Sequence, residues 1–240
     1  MKAVILAAGK GERLGQLTQS IPKPMIQINR KPIIQYNIEL CQLFGITDIF
    51  INLFHLGHVI ENYLGNGSRF NVNITYSYEN KLWGTAGAIR KIAETFWGFK
   101  SRKTKSLEPF YVIYGDNLSN YNLISLKDKS ELTGSIASIG FHYREDVTSS
   151  GVAEFDETGR IISFIEKPKQ GETNSKWVNA GLYYFRPEIL NFIPCGYSDF
   201  SKDIFPLLLN KGKPIYGVIN DSDVKAFDTP EMLFQNKQRL

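Results

Sequence analysis

Apolar residues gather in short runs along the first half of the chain, and stretches of helical period lie between them. The pattern predicts strands at 2–8, 48–53, 73–78 and 110–114 and helices at 32–44, 55–64 and 84–97. Strand and helix in alternation predict βαβ units around a mostly parallel sheet, whose ligands lie beyond the carboxyl ends of the strands. The loop 9–23 and the turn Gly115-Asp116-Asn117 each follow a strand, so both are expected on that edge.

The second half has a different rhythm. Residues alternate at 134–143, a hairpin is written in Val152 to Ile165 with its turn at Glu157-Thr-Gly159, and Trp177 to Phe185 forms a further strand. A short helix is expected over 201–210, ended by Gly212 with Pro214 soon after. The 240 residues, 42% hydrophobic, suit a single domain of 1–240 with a sizeable core, its halves near 1–130 and 131–240 sharing one sheet.

Charge and composition exclude more than they assign. A net charge of +4 is mild, and the dense basic run Lys100 to Lys105 lacks the interleaved aromatics of a nucleic-acid stripe. No run reaches the roughly 18 apolar residues of a membrane span, and Met1 leads straight into a strand, which predicts a cytoplasmic protein without a membrane partner. Two cysteines, Cys41 and Cys195, make no disulfide framework, and His55, His58 and His142 make no zinc cluster with them.

The densest candidate chemistry lies in the first 24 residues. Gly9 and Gly11 permit positive φ and close approach, so that backbone N–H groups converge on phosphate oxygens, and Arg13 and Lys23 add fixed positive charge. Lys23 stands between Pro22 and Pro24, which stiffen the backbone that carries it. A lone Gly-x-Gly is weak evidence, and neither the P-loop nor the dinucleotide fingerprint is present. Asp116 reads either as an ordinary turn aspartate or as an oxygen ligand for Mg2+ beside bound phosphates.

The run Leu6-Ala-Ala-Gly-Lys-Gly-Glu-Arg-Leu14 followed by Pro22-Lys-Pro-Met25 resembles the signature of the sugar-1-phosphate nucleotidyltransferases. Further matches continue, in the family's order, to about ten residues from the C-terminal end of the sequence. The resemblance implies a Rossmann-like, mostly parallel mixed sheet flanked by helices, with a β-rich sugar-binding second half. It implies a nucleoside triphosphate and a sugar 1-phosphate as partners, Mg2+ as cofactor, and assembly into a homo-oligomer. Nucleotide contacts would come from Leu6, Ala8, Gly9, Gly11, Arg13, Lys23, Glu79, Gly84 and Thr85. Sugar-phosphate contacts would come from Asp116, Gly151, Glu166, Lys167, Asn179 and Gly181, with Arg13, Lys23 and Lys167 catalytic. In this scheme Gly84 and Gly87 let a helix start approach a flat base, and Gly151 and Gly181 allow close approach to the sugar.

Two positions refine the expectation. Glu79 stands where thymidylyl and some uridylyl members carry glutamine, and resembles the guanylyl members that act on mannose-type sugars, manno-heptose included. An ionised carboxylate only accepts, which suits the adjacent N1 and N2 donors of guanine and leaves UTP, dTTP and CTP as alternatives. The family's Asp-x-Gly-Thr is replaced by Ala226-Phe-Asp-Thr229, so Ala226 takes the usual metal-ligand position. Asp228, on the same face of an extended segment and roughly 6–7 Å on, reaches the metal only after a local shift. Asp221 and Asp223 are the fallback ligands, and a regulatory nucleotide-sugar-binding subunit without turnover is the rival function.

Overall fold

Burial follows the predicted alternation closely in the first strands. Ala3, Val4 and Ile5 are buried, as are Ile49, Ile51 and Leu53 of the next strand, because both strands are interior to a parallel set. The computed structural model describes residues 1–100, 106–219 and 224–238. Asp221, Asp223 and residues 101–105 of the basic run lie outside the described residues. The chain forms two compact units, interleaved along the sequence.

The first unit comprises Met1–Leu82, Ile113–Asn120 and Asp223–Leu240. Strand Lys2–Leu6 pairs in parallel with Asp48–Leu53, which pairs in parallel with Asn73–Tyr78, in registers running Lys2↔Asp48↔Asn73. Helices Ile33–Leu43 and Gly57–Leu64 make the crossovers. The first strand ends at Leu6, two residues earlier than its apolar run predicts, because the Ala7 N–H leaves the ladder for the Asn52 side chain. Further elements have no counterpart in the hydrophobic pattern. Val224–Ala226 pairs antiparallel with Asn117–Ser119, and a final helix runs from Pro230 to Gln238.

The second unit comprises Trp83–Val112 and Tyr121–Ser222. Its strands Ala137–Tyr143 and Trp177–Phe185 are antiparallel, and Ile215–Ile219 joins the former in parallel. Gly151–Phe155 and Ile161–Glu166 form the expected hairpin. Its turn rests on Gly159 at φ 83° and on Asp156 Oδ1, which accepts from the N–H groups of Thr158 and Arg160. The helix Leu123–Thr133, packed on three of these strands, escapes sequence reading because its surface is polar and only Leu123, Leu126 and Ser130 are buried. Parallel and antiparallel pairing together make this a mixed α/β fold with flanking helices.

The helix expected at 201–210 begins instead as a π turn, Phe200–Ile204, and becomes α-helical at Phe205–Asn210. Pro206 has no N–H for the carbonyl four residues back, and the Phe205 N–H reaches Phe200 O to widen the turn. Among the described residues no helix is long and apolar enough to cross a membrane.

Candidate active site

In the first unit four of the expected side chains meet. Lys23 Nζ donates to Asp116 Oδ2 at 2.6 Å and to Asp228 Oδ1 at 2.5 Å, and Arg13 Nη2 lies 3.2 Å from the same Asp228 oxygen. Lys23 is buried while Arg13 is exposed, so one cation is fixed and the other reaches solvent. Burial by itself would lower the Lys23 pKa, but the charges and hydrogen bonds of Asp116 and Asp228 outweigh it and hold the ammonium above the ordinary lysine range. Two of its three N–H donors are thereby engaged, which leaves one to offer a phosphate oxygen.

Local structure explains how each residue arrives. Pro22 at φ −65° leads into a 3-10 turn, Lys23–Met25, whose first side chain points into the protein. Gly115 donates its N–H to Leu6 O at 2.9 Å, and a Cβ there would lie 2.9 Å from both that oxygen and Ile5 Cγ2, so only glycine brings Asp116 this close to the first strand's end. Ala226 sits opposite Asn117 in the short antiparallel pair. The next residue, Phe227, is fully buried among Leu14, Ile26, Ile28, Ile33 and Leu233, and its anchoring sets Asp228 beside Lys23. Thr229 then caps the last helix, its hydroxyl accepting from the Met232 N–H.

The two glycines of the first loop differ. Gly11 has φ 65°, and a Cβ on it would meet Thr18 Cγ2 at 2.9 Å and Lys23 Cβ at 3.2 Å. Gly9, contrary to expectation, has no positive φ; nothing of the chain lies within 4 Å of where its Cβ would stand, so its glycine leaves room beside the loop. Ala8 is buried behind it.

Glu79 follows the strand Asn73–Tyr78 and is buried. Its Oε1 accepts from Asn52 Nδ2 at 2.8 Å, and Asn52 Oδ1 accepts from the Ala7 N–H at 2.8 Å, which ties the ends of three strands together. Asn52 is absent from the sequence expectation. The available signal was a lone amide inside the apolar strand Asp48–Leu53.

Two carboxylate oxygens that close on one cationic nitrogen are a hard-oxygen donor set suited to Mg2+, which takes one or two carboxylates and leaves its other positions to phosphate and water. Among the described residues no group of three or more acidic, histidine or cysteine side chains gathers for a metal. Asp116 and Asp228 are therefore the residues that would hold the ion, and phosphate oxygens would complete its shell.

In the second unit Glu166, Asn179, Gly181 and Gly151 come together. Gly151 is paired with Glu166, and a Cβ on it would lie 2.6 Å from the Phe164 ring and 2.9 Å from Glu166 Oε2. Its glycine thus makes room for protein side chains, where the sequence suggested room for a ligand. Gly181 has φ 71° where the register of Trp177–Phe185 shifts between Asn179 and Tyr183, and its N–H donates to Asn179 Oδ1 at 2.9 Å. Lys167 is exposed with a left-handed φ of 53°. Burial, then the neighbouring Asp199 carboxylate, raise the Glu166 pKa against the opposing pull of Lys167 and Lys202.

Gly84 and Gly87 also serve the protein itself. A Cβ on Gly84 would lie 2.3 Å from Ser198 O, and one on Gly87 2.4 Å from Gly196 O, so the side expected to meet a flat base is filled by the backbone of 196–198. The Thr85 hydroxyl donates to Asp199 Oδ2 and accepts from the Phe200 N–H, both at 2.9 Å. Asp199 and Ser201 were not singled out in the sequence. An Asp-x-Ser step just ahead of an apolar helical run was the signal that could have found them.

With fold and geometry in view, comparison with known proteins places the chain: it belongs to the nucleotidyl transferase family, whose model matches residues 2–225. A UTP–glucose-1-phosphate uridylyltransferase from Synechocystis sp. is 39% identical over 233 residues, taking in 92% of this chain and 58% of that protein. A mannose-1-phosphate guanyltransferase from Saccharomyces cerevisiae is 32% identical over 219 residues, 90% of this chain and 58% of that one. The chain thus spans 58% of the length of each of these relatives. The crystal structure of HddC from Yersinia pseudotuberculosis complexed with GMP-PN shares the fold, with a TM-score of 0.80 at 24% identity over 99% of this chain and 98% of that one.

Proposed function

We propose that the chain is a Mg2+-dependent nucleotidyltransferase that joins a nucleoside triphosphate to a sugar 1-phosphate and releases pyrophosphate. The observation that carries this reading is the convergence of Asp116 and Asp228 on the buried Lys23, beside Gly11 and Arg13. Family membership and the names of the two relatives support it.

The sugar-phosphate oxygen attacks the α-phosphorus in line, and pyrophosphate leaves on the opposite side. An anionic nucleophile needs no general base, so the residues work by positioning and by neutralising charge. Arg13, which is exposed, and the remaining N–H of Lys23 hold the triphosphate and stabilise the departing pyrophosphate. Bound Mg2+ would supply charge neutralisation across the phosphates. Lys167 steers the incoming phosphate, while Glu166 and Asn179 accept from sugar hydroxyls.

Glu79 supports guanine, because its carboxylate only accepts and guanine offers two adjacent donors. The Synechocystis relative, named for UTP and glucose 1-phosphate, supports uracil as the second candidate. The test is pyrophosphate release from GTP, UTP, dTTP, CTP and ATP against mannose, glucose and manno-heptose 1-phosphates, with Mg2+ and with EDTA. Release confined to one pair and abolished by EDTA is expected. Binding of a nucleotide sugar without any release would favour the regulatory subunit, for which Ala226 at the usual ligand position is the supporting observation.

A further inference from the structure

Three hydrogen bonds use up most of the Asn179 amide. Nδ2 donates to Tyr183 Oη at 2.8 Å and to Ser201 Oγ at 3.3 Å, and Oδ1 accepts from the Gly181 N–H at 2.9 Å. An amide has two donors and two acceptor lone pairs, so one lone pair on Oδ1 remains for a ligand. The Gly181 N–H can only donate, so it fixes Oδ1 as the acceptor and Nδ2 as the donor, and the Ser201 hydroxyl oxygen accepts from Asn179. The buried Ser201 hydroxyl and Tyr183 Oη thus occupy the two N–H donors of Asn179 and leave only Oδ1 for a ligand.

Ser201 is itself pinned. It lies in the π turn Phe200–Ile204, and Asp199 Oδ1 accepts from its N–H at 2.9 Å and from that of Lys202 at 3.2 Å. The other oxygen of Asp199 accepts from the Thr85 hydroxyl. The widened turn, which departs from the regular helix of the sequence pattern, is what carries Ser201 to Asn179.

We infer that Ser201 is a positioning residue that keeps Asn179 an acceptor only toward the ligand, and so selects a ligand presenting a hydroxyl donor there, as an unmodified sugar does. The inference rests on the sugar 1-phosphate reading above. Without the hydroxyl, an Asn179 N–H turns free toward the ligand, and Asn179 no longer distinguishes a donor from an acceptor of similar size.

The experiment compares wild type, Ser201→Ala and Ser201→Thr with the preferred sugar 1-phosphate and with its series of single deoxyfluoro analogues, in which one hydroxyl donor becomes an acceptor. For Ser201→Ala the KM for the sugar 1-phosphate should rise about tenfold, the worth of one hydrogen bond, while kcat and the KM for the triphosphate hold within about twofold. Discrimination against one fluoro analogue should narrow by a similar factor, and Ser201→Thr should restore both. Thermal melting shows that each variant is folded. Unchanged sugar KM and unchanged discrimination in Ser201→Ala, with wild type active, would overturn the inference alone. Absence of pyrophosphate release by wild type with every substrate pair would overturn the functional reading, and this inference with it.

Discussion

Lys23 Nζ donates to Asp116 Oδ2 at 2.6 Å across 93 positions of sequence, and to Asp228 Oδ1 across 205. The ammonium is buried and offsets two carboxylates that would otherwise face each other. Removing one partner of a buried pair costs about 3–5 kcal/mol; because Asp116 and Asp228 retain some solvent contact, Lys23→Met should cost about 2 kcal/mol. Urea unfolding at constant m-value measures it.

Asp116→Asn should lower turnover about 100-fold or more, the scale seen when one preorganised charge-stabilising group is lost. Asp228→Asn should act in the same direction, since it meets the same cation. Mn2+ binding followed by electron paramagnetic resonance separates the metal role from a structural one. Each variant should weaken Mn2+ binding in the presence of triphosphate while remaining folded below its lowered melting temperature.

Gly11 and Gly9 should respond differently to alanine. Gly11→Ala forces a side chain into a left-handed backbone against Thr18 and should cost about 1–2 kcal/mol. Gly9→Ala meets open space and should leave stability within about 0.5 kcal/mol. Its expected effect is a raised KM for the triphosphate, read by steady-state kinetics beside the same unfolding curves.

Phe227→Ala removes a fully buried ring beside Leu14, Ile26 and Leu233 and should cost about 3–5 kcal/mol. Because the ring anchors the residue before Asp228, a partly stable variant should also lose Mn2+ affinity. The conservative Phe227→Leu should keep most of both.

Glu166→Gln tests the buried carboxylate. Burial, and then Asp199, raise its folded pKa above the unfolded value, so the folded state binds this proton more tightly. Ionisation therefore destabilises: the penalty is absent below the unfolded pKa, grows as pH rises through the folded one, and is complete above it. Glutamine removes that penalty, so the variant should melt higher than wild type at about pH 7.5 and show no such gain at about pH 4. Differential scanning calorimetry at the two pH values decides it.

Sequence by itself determined the parallel strands, the crossover helices, the hairpin and its turn, because period and turn chemistry are local properties. It also singled out Lys23, whose flanking prolines act on neighbouring dihedrals. The polar helix Leu123–Thr133 and the short pair of Asn117–Ser119 with Val224–Ala226 carry no local signature strong enough to read. Only the tertiary structure decided that Asp228 stands beside Asp116, since that depends on Phe227 finding a core built from residues some two hundred positions away. The glycines show the same division. Sequence marks Gly84, Gly87 and Gly151 as places without a side chain, but whether protein or ligand fills the space depends on packing. Ser201 owes its place to a π turn, which has an aspartate cap at its start and a proline without an N–H just past its end.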